Sequence, residues 1–144
     1  MYSAAAVALM QQQIKNSALK YPQEFIAMDA AELSGIVNGY GPDRWPEDLR
    51  RAVSWIVRHY PLPAAIHDFR YEFSNGMEAA RKAADSEFSA NLLTIWQEYY
   101  GRWRLLNPLA WFDRCKINAA VVLTRRFGRS AWLEAYHRQN GGEK

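Results

Sequence analysis

AAIHDFRYEFSNGMEAARKAADSEF, residues 64–88, predicts two helices joined by a tight turn. Ser74-Asn75-Gly76 carries the residue types that favour a turn. We expect one helix from Ala64 to Phe73 and a longer one from Met77 to Tyr100. If the two helices pack antiparallel about that turn, His67 lies opposite Ala84 and Asp85.

Three polar residues of this predicted helix pair fall close together. His67 and Tyr71 are four residues apart, so both project from one helix face. Asp85 shares its helix register with Phe88 and Leu92, and an unpaired carboxylate among apolar side chains is costly. The Nδ1–H group of His67 and the hydroxyl of Tyr71 are the expected donors. A carboxylate that holds one imidazole nitrogen leaves the other to act as a base, so the pattern indicates either a catalytic site or a polar network that fixes the helix pair.

The rest of the chain also has helical patterns. The predicted helices are Ala4–Lys20, a short helix that follows the capping box at Asp29 and runs to Val37, Pro46–Tyr60, Asn107–Phe127, and a last helix capped by Ser130. Gly128 is expected to close the helix before it. Because no run alternates strictly between apolar and polar residues, we predict an all-α fold that forms a single domain over residues 1–144.

The composition narrows the classes of function. The net charge is +3, and the basic residues are scattered, whereas a nucleic-acid-binding surface usually clusters them. Cys115 is the single cysteine, so no intramolecular disulfide is possible, and its position in the middle of a predicted helix favours a buried thiol. No apolar run is long enough for a transmembrane helix, and the N-terminus lacks the marks of a signal peptide. We therefore expect a cytoplasmic protein that does not bind nucleic acid.

The residues around His67 resemble a known family. His67-Asp68-Phe69-Arg70-Tyr71 is similar to the His-Asp-x-x-Tyr helix of the secreted and bacterial phospholipases A2. The segment from Ala83 to Phe88 resembles the second helix of that family, whose Asp holds the catalytic His. Upstream, the loop from Asn38 to Pro42 is similar to the calcium loop of divergent members. The resemblance covers residues 38–93.

The resemblance implies a Ca²⁺-dependent ester hydrolase that acts on phospholipids, with a lipid or membrane surface as its partner. His67 would be the general base, Asp85 would orient it, and Tyr71 would hydrogen-bond Asp85. Calcium would be held by Asp68 and by backbone carbonyls of Gly39, Tyr40 and Gly41. Two departures stand out: Ile66 replaces a cysteine in a family that is usually rich in disulfides, and the segment from Gly41 to Asp68 is longer than in most members.

A second resemblance implies a different function. Small phage-associated proteins of unassigned function also carry a His-Asp-x-x-Tyr helix followed by an Ala-Asp-x-x-Phe helix, and their downstream segment is similar to Val122–Trp132. This resemblance implies a phage or prophage context, in which the network of His67, Tyr71 and Asp85 is structural and not enzymatic.

The segment from Trp96 to Arg104 mixes aromatic rings with arginine. Such a surface suits a lipid interface, where rings enter the headgroup zone and arginine meets phosphate. The alternative is that these rings close the end of a helix by packing against Trp111 and Phe112. The sequence leaves both interpretations open.

Overall fold

The computed structural model describes residues 2–37, 47, 51 and 59–141, and within these residues the fold is all-α, as predicted, with no strand. The helices in chain order are α1 (Ala4–Lys15), α2 (Gln23–Ala27), α3 (Ala30–Ile36), α4 (Pro61–Glu72), α5 (Glu78–Tyr100), the 3₁₀ helix Gly101–Leu105, and α6 (Pro108–Asn140). The predicted helix Pro46–Tyr60 falls almost wholly outside the described residues. Its last residue, Tyr60, directly precedes α4.

The N-terminal helix ends earlier than predicted. Ser3 caps α1 by accepting the N–H of Ala6, and the helix ends at Lys15 and not at Lys20. Ser17 explains the early end, because its hydroxyl donates to the Ile14 carbonyl and accepts the N–H of Leu19. These local bonds compete with continuation of the helix.

The helices α1 to α4 enclose one apolar cluster. Asp29 caps α3 through the N–H groups of Ala31 and Glu32, as the capping box predicts. The most deeply buried side chains of the cluster come from all four helices and their connections: Val7, Ile14, Phe25, Leu33, Val37 and Ile66. Asn91 of α5 holds the same region in place by bonding both the N–H and the carbonyl of Lys20, each at 2.8 Å.

Helix α4 begins at Pro61, three residues before the predicted start at Ala64. The predicted start leaves Pro61 and Pro63 outside the helix. Both lie in the first turn, where the missing N–H costs nothing and the fixed φ favours the helix. The additional turn brings Tyr60 and Ala64 into a second apolar cluster with Phe88 and Leu92 of α5.

The chain reverses direction between α5 and α6. Gly101 ends α5 with a φ of +54°, a backbone angle that favours glycine. The reversal is fixed from both sides: the indole of Trp96 donates to the Ala110 carbonyl at 2.8 Å, and the hydroxyl of Tyr100 donates to Asp113.

Helix α6 is continuous, and the predicted break at Gly128 is wrong. Gly128 lies buried inside the helix, where a Cβ atom would come within 2.5 Å of the Tyr71 hydroxyl oxygen. The Ser130 hydroxyl donates to the Phe127 carbonyl and does not cap a new helix. The glycine is therefore needed for the close approach of α6 to α4 and not for a helix end.

Within the described residues, no helix is both long enough and apolar enough to cross a bilayer.

We predict opposite effects for two glycine substitutions. Gly128→Ala should lower the free energy of unfolding by about 1–3 kcal/mol, because the methyl group displaces a Tyr71 hydroxyl that is bonded to Asp85 at 2.6 Å. Gly35→Ala is the control: nothing lies within 4 Å of its added Cβ atom, so it should be neutral or stabilise by up to about 1 kcal/mol. Urea unfolding of both variants measures the difference, and equal stabilities would contradict the assignment.

Candidate functional site

The structure brings together the three side chains predicted to form the site. The Nε2 atom of His67 lies 3.1 Å from Oδ1 of Asp85, and the Tyr71 hydroxyl donates to the same oxygen at 2.6 Å. His67 and Tyr71 project from α4 and Asp85 from α5. All three side chains are buried.

A fourth member, Arg81, was not predicted. Its Nη1 atom donates to the second oxygen of Asp85 at 2.6 Å, and its Nε and Nη2 atoms donate to Glu78 at 3.2 and 2.7 Å. Arg81 precedes Asp85 by four residues on α5, a spacing at which opposite charges meet. The spacing of Arg81 and Asp85 indicates an ion pair. It does not indicate that Arg81 is buried, because several other charged side chains of this helix are exposed.

The electrostatics of the site follow from this ring of donors. Burial would raise the pKa of Asp85, but hydrogen bonds from His67 and Tyr71, with the electrostatic attraction of His67 and Arg81, outweigh it and hold the pKa below its ordinary value. Burial and the bond to Asp85 raise the pKa of the Tyr71 hydroxyl. The hydrogen bond to Glu78 raises the pKa of Arg81 against the opposing effect of burial. The site therefore holds a carboxylate, a guanidinium and a neutral phenol.

The nitrogen of His67 that faces Asp85 is Nε2 and not Nδ1, the donor expected from the sequence. The reason is reach: Nε2 is the ring nitrogen farther from the backbone, and Asp85 lies on the neighbouring helix. Nδ1 stays close to α4. If the site is catalytic, Nδ1 is the nitrogen that would take up a proton.

Aromatic and apolar side chains hold the His67 ring in place. The ring centroid lies 4.1 Å from that of Tyr71 and 4.8 Å from that of Phe88. Trp132 of α6 packs beside Tyr71, and its indole donates to the Ser74 hydroxyl in the turn between α4 and α5. In the described part of the chain, every buried side-chain nitrogen or oxygen atom has a hydrogen-bond partner.

Of the proposed calcium ligands, the described residues include Asp68 alone. Asp68 is partly exposed on α4 and already interacts with another group. Gly39, Tyr40 and Gly41 lie outside the described residues. Over residues 2–37 and 59–141, no group of three or more His, Cys, Asp or Glu side chains is arranged to hold a metal ion.

Cys115 corrects a second expectation, because its side chain is exposed and not buried. It lies on α6, whose buried positions in this region are Ala110, Ile117 and Ala120. The thiol falls on the outer face of the helix, and its sequence neighbours Arg114 and Lys116 are both charged.

Comparisons with protein-family models, with curated proteins and with solved structures found no match to this chain.

We predict that the contribution of Asp85 to stability depends on pH. Asp85→Asn should lower the free energy of unfolding by about 1–3 kcal/mol at pH 7, because it removes the charge that pairs with the buried Arg81. A lowered pKa contributes stability that is present above the unfolded pKa and is lost as pH falls through the folded value. The difference between wild type and variant should therefore shrink below about pH 4.

Denaturant unfolding at a series of pH values measures this difference. Glu134→Gln, an exposed carboxylate on α6, is the control and should change stability by less than about 0.5 kcal/mol. A difference for Asp85→Asn that stays constant from pH 7 to pH 3 would contradict the assignment.

Proposed function

We propose that this protein hydrolyses ester bonds of lipids, with His67 as the general base and Asp85 as the residue that orients it. The observation that carries the proposal is the bond between His67 Nε2 and Asp85, which holds the ring in one orientation and leaves Nδ1 as the nitrogen that would act as the base. Tyr71 and Arg81 hold the carboxylate in turn. General-base catalysis is favoured when the base is held in one orientation. Here Asp85 would orient His67, and Tyr71 and Arg81 fix the position of Asp85.

The proposed reaction is a proton transfer coupled to attack by water. Nδ1 of His67 accepts a proton from the water molecule, and the hydroxide attacks the ester carbonyl carbon. The bond to the leaving alcohol then breaks, and the alcohol oxygen takes the proton back from Nδ1. Asp85 stabilises the imidazolium that exists between these steps. Substrate would reach His67 through a small exposed area, since 10% of its side chain is exposed.

Calcium is a separate part of the proposal. When bound, the ion would stabilise negative charge on the ester oxygen. Of the proposed ligands, the described residues include Asp68 alone, and one carboxylate does not make a calcium site. The steps above are therefore assigned to side chains of the protein.

Arg81 favours a second candidate, a structural network in a non-enzymatic protein, as in the phage or prophage context of the second resemblance. The guanidinium already balances the charge of Asp85, and Tyr71 and Arg81 would still hold the carboxylate if His67 were lost. A buried and fully bonded cluster can exist to fix the packing of helices alone. The two candidates differ in what His67 contributes.

We predict that His67→Gln separates the two candidates. For the hydrolase, release of fatty acid from mixed phospholipid vesicles should fall at least about 100-fold, because the base is gone. Stability should fall by only about 1 kcal/mol, since Asp85 keeps two of its three donors. The exposed His137→Gln is the control and should leave both quantities unchanged.

The measurements are vesicle hydrolysis and urea unfolding on the same three proteins. Absence of wild-type hydrolysis on several lipids, with calcium present, would contradict the hydrolase. Loss of stability without any activity to lose is the result expected of the structural network.

We predict that millimolar Ca²⁺ raises the melting temperature by a few degrees if the ion binds the folded protein. Asp68→Asn should abolish the rise, because it removes the one charged ligand of the proposed set. Glu98→Gln, an exposed carboxylate on α5, should keep it. Identical wild-type melting curves in calcium and in chelator would contradict the calcium proposal and leave the role of His67 to its own test.

A further inference from the structure

Large apolar side chains crowd the surface where α5 passes into α6. We call this surface the aromatic tip and define it by six side chains that are each at least 61% exposed: Tyr99, Trp103, Leu105, Leu106, Leu109 and Phe112. They lie within fourteen residues of sequence. Scattered exposed apolar residues are ordinary, but a concentration of this kind marks an interaction surface.

Hydrogen bonds to backbone carbonyls hold the tip in one conformation. The indole of Trp111 donates to the Leu105 carbonyl at 3.0 Å, and Arg104 donates to the Gly101 carbonyl at 2.8 Å. Beneath the tip, the indole of Trp96 is bonded to the Ala110 carbonyl. Because these bonds fix the backbone of the tip, binding would require little further ordering of the segment that carries the exposed rings.

Cations lie around and among the rings. Arg104 and Arg114 lie over the ring of Trp96, at 6.0 and 5.8 Å from its centroid. Lys116 lies 4.4 Å from the centroid of the Phe112 ring. Arg102 is exposed between Gly101 and Trp103.

Two carboxylates lie near the tip, Asp113 and Glu98. Asp113 accepts from Lys116 at 2.7 Å and from the Tyr100 hydroxyl. Glu98, which directly precedes Tyr99, is exposed. The arginines Arg102, Arg104 and Arg114 outnumber it, so the net charge of this surface is positive and attracts anions.

We propose that the aromatic tip binds the surface of an anionic lipid bilayer. Trp103 and Tyr99 suit the headgroup zone, where an amphipathic ring has apolar and wet surroundings at once, and the leucines suit the acyl boundary below it. Arg102 and Arg104 then lie at the level of the phosphates, where each basic residue is attracted by the negative surface potential.

A second copy of this chain fits the tip less well. A two-fold dimer brings the same patch of both copies together, so the arginines of one tip would face those of the other. Like charges across an interface oppose association. An anionic bilayer matches both the rings and the charge.

The tip is distinct from the cluster around His67. Fourteen residues of α5 separate Asp85 from Tyr99, which is about 20 Å along the helix axis. Binding is therefore independent of hydrolysis, and a failure of the proposed reaction leaves this inference standing. His67→Gln should bind vesicles as wild type does.

We predict that the tip gives binding to vesicles made of equal parts phosphatidylcholine and phosphatidylglycerol. Trp103→Ala with Leu106→Ala should weaken binding about tenfold or more, because two exposed side chains no longer enter the bilayer. The control is Val122→Ala, which removes a side chain of similar exposure, 61%, from α6 outside the tip. Co-sedimentation measures binding, and the control should change it less than about twofold.

The charge component has its own matched pair. Arg102→Gln should weaken binding about fivefold, whereas the exposed Arg125→Gln on α6 should leave it nearly unchanged. Vesicles of phosphatidylcholine alone should bind more weakly, and added salt should reduce binding to the anionic ones.

Three outcomes would overturn the proposal. The first is a wild-type protein that binds neither kind of vesicle. The second is equal weakening by the tip variants and by their controls. The third is a concentration-dependent dimer, seen by sedimentation velocity without lipid, that disappears when Trp103 is replaced by Ala, since that result would assign the tip to a second copy.

Discussion

The packing of α4, α5 and α6 depends on one buried carboxylate, Asp85. A charge in that position costs several kcal/mol unless donors surround it. Three donors do so: His67 and Tyr71 reach across from α4, and Arg81 reaches along α5. Because Tyr71 is fixed by this bond, α6 can approach only where it carries no side chain, at Gly128. One electrostatic requirement therefore sets the rotation of α4 and the contact point of α6.

Arg81 changes how strongly the charge of Asp85 can act on His67. In a pair of His67 and Asp85 alone, the carboxylate would serve the imidazole exclusively, and loss of the histidine would leave a buried charge without balance. With Arg81 present, the negative charge is shared between a permanent cation and a titratable ring. This arrangement weakens the electrostatic help that Asp85 can give to an imidazolium and strengthens its hold on the helices. It makes the network more robust and any base chemistry at His67 more modest.

The sequence was informative where a local pattern alone determines the structure. The spacing of His67 and Tyr71, the turn at Asn75 and the cap at Asp29 predicted contacts that the structure contains. It misled where tertiary contacts choose between local alternatives. Gly128 predicts a helix end, but in the structure it lies inside α6 and leaves room for the Tyr71 hydroxyl. The predicted start of α4 at Ala64 excludes Pro61, but the first turn of a helix accepts proline. The burial of Arg81 and the choice of Nε2 depend on the distance between helices, which no single stretch of sequence contains.

Helix α5 connects the buried cluster around Asp85 with the exposed aromatic tip. At one end Asp85 is fully enclosed, and toward the other Trp96 closes the second apolar cluster while two guanidinium groups lie over its ring. Trp96 is thus the last buried residue of α5, and it lies directly beneath the tip. Its bond to the Ala110 carbonyl fixes how α6 leaves the turn, and this determines that Leu109 and Phe112 point outward. The packing of Trp96 in the core therefore determines that the side chains of the tip are exposed. Burying these side chains would require Trp96 to leave its position in the core.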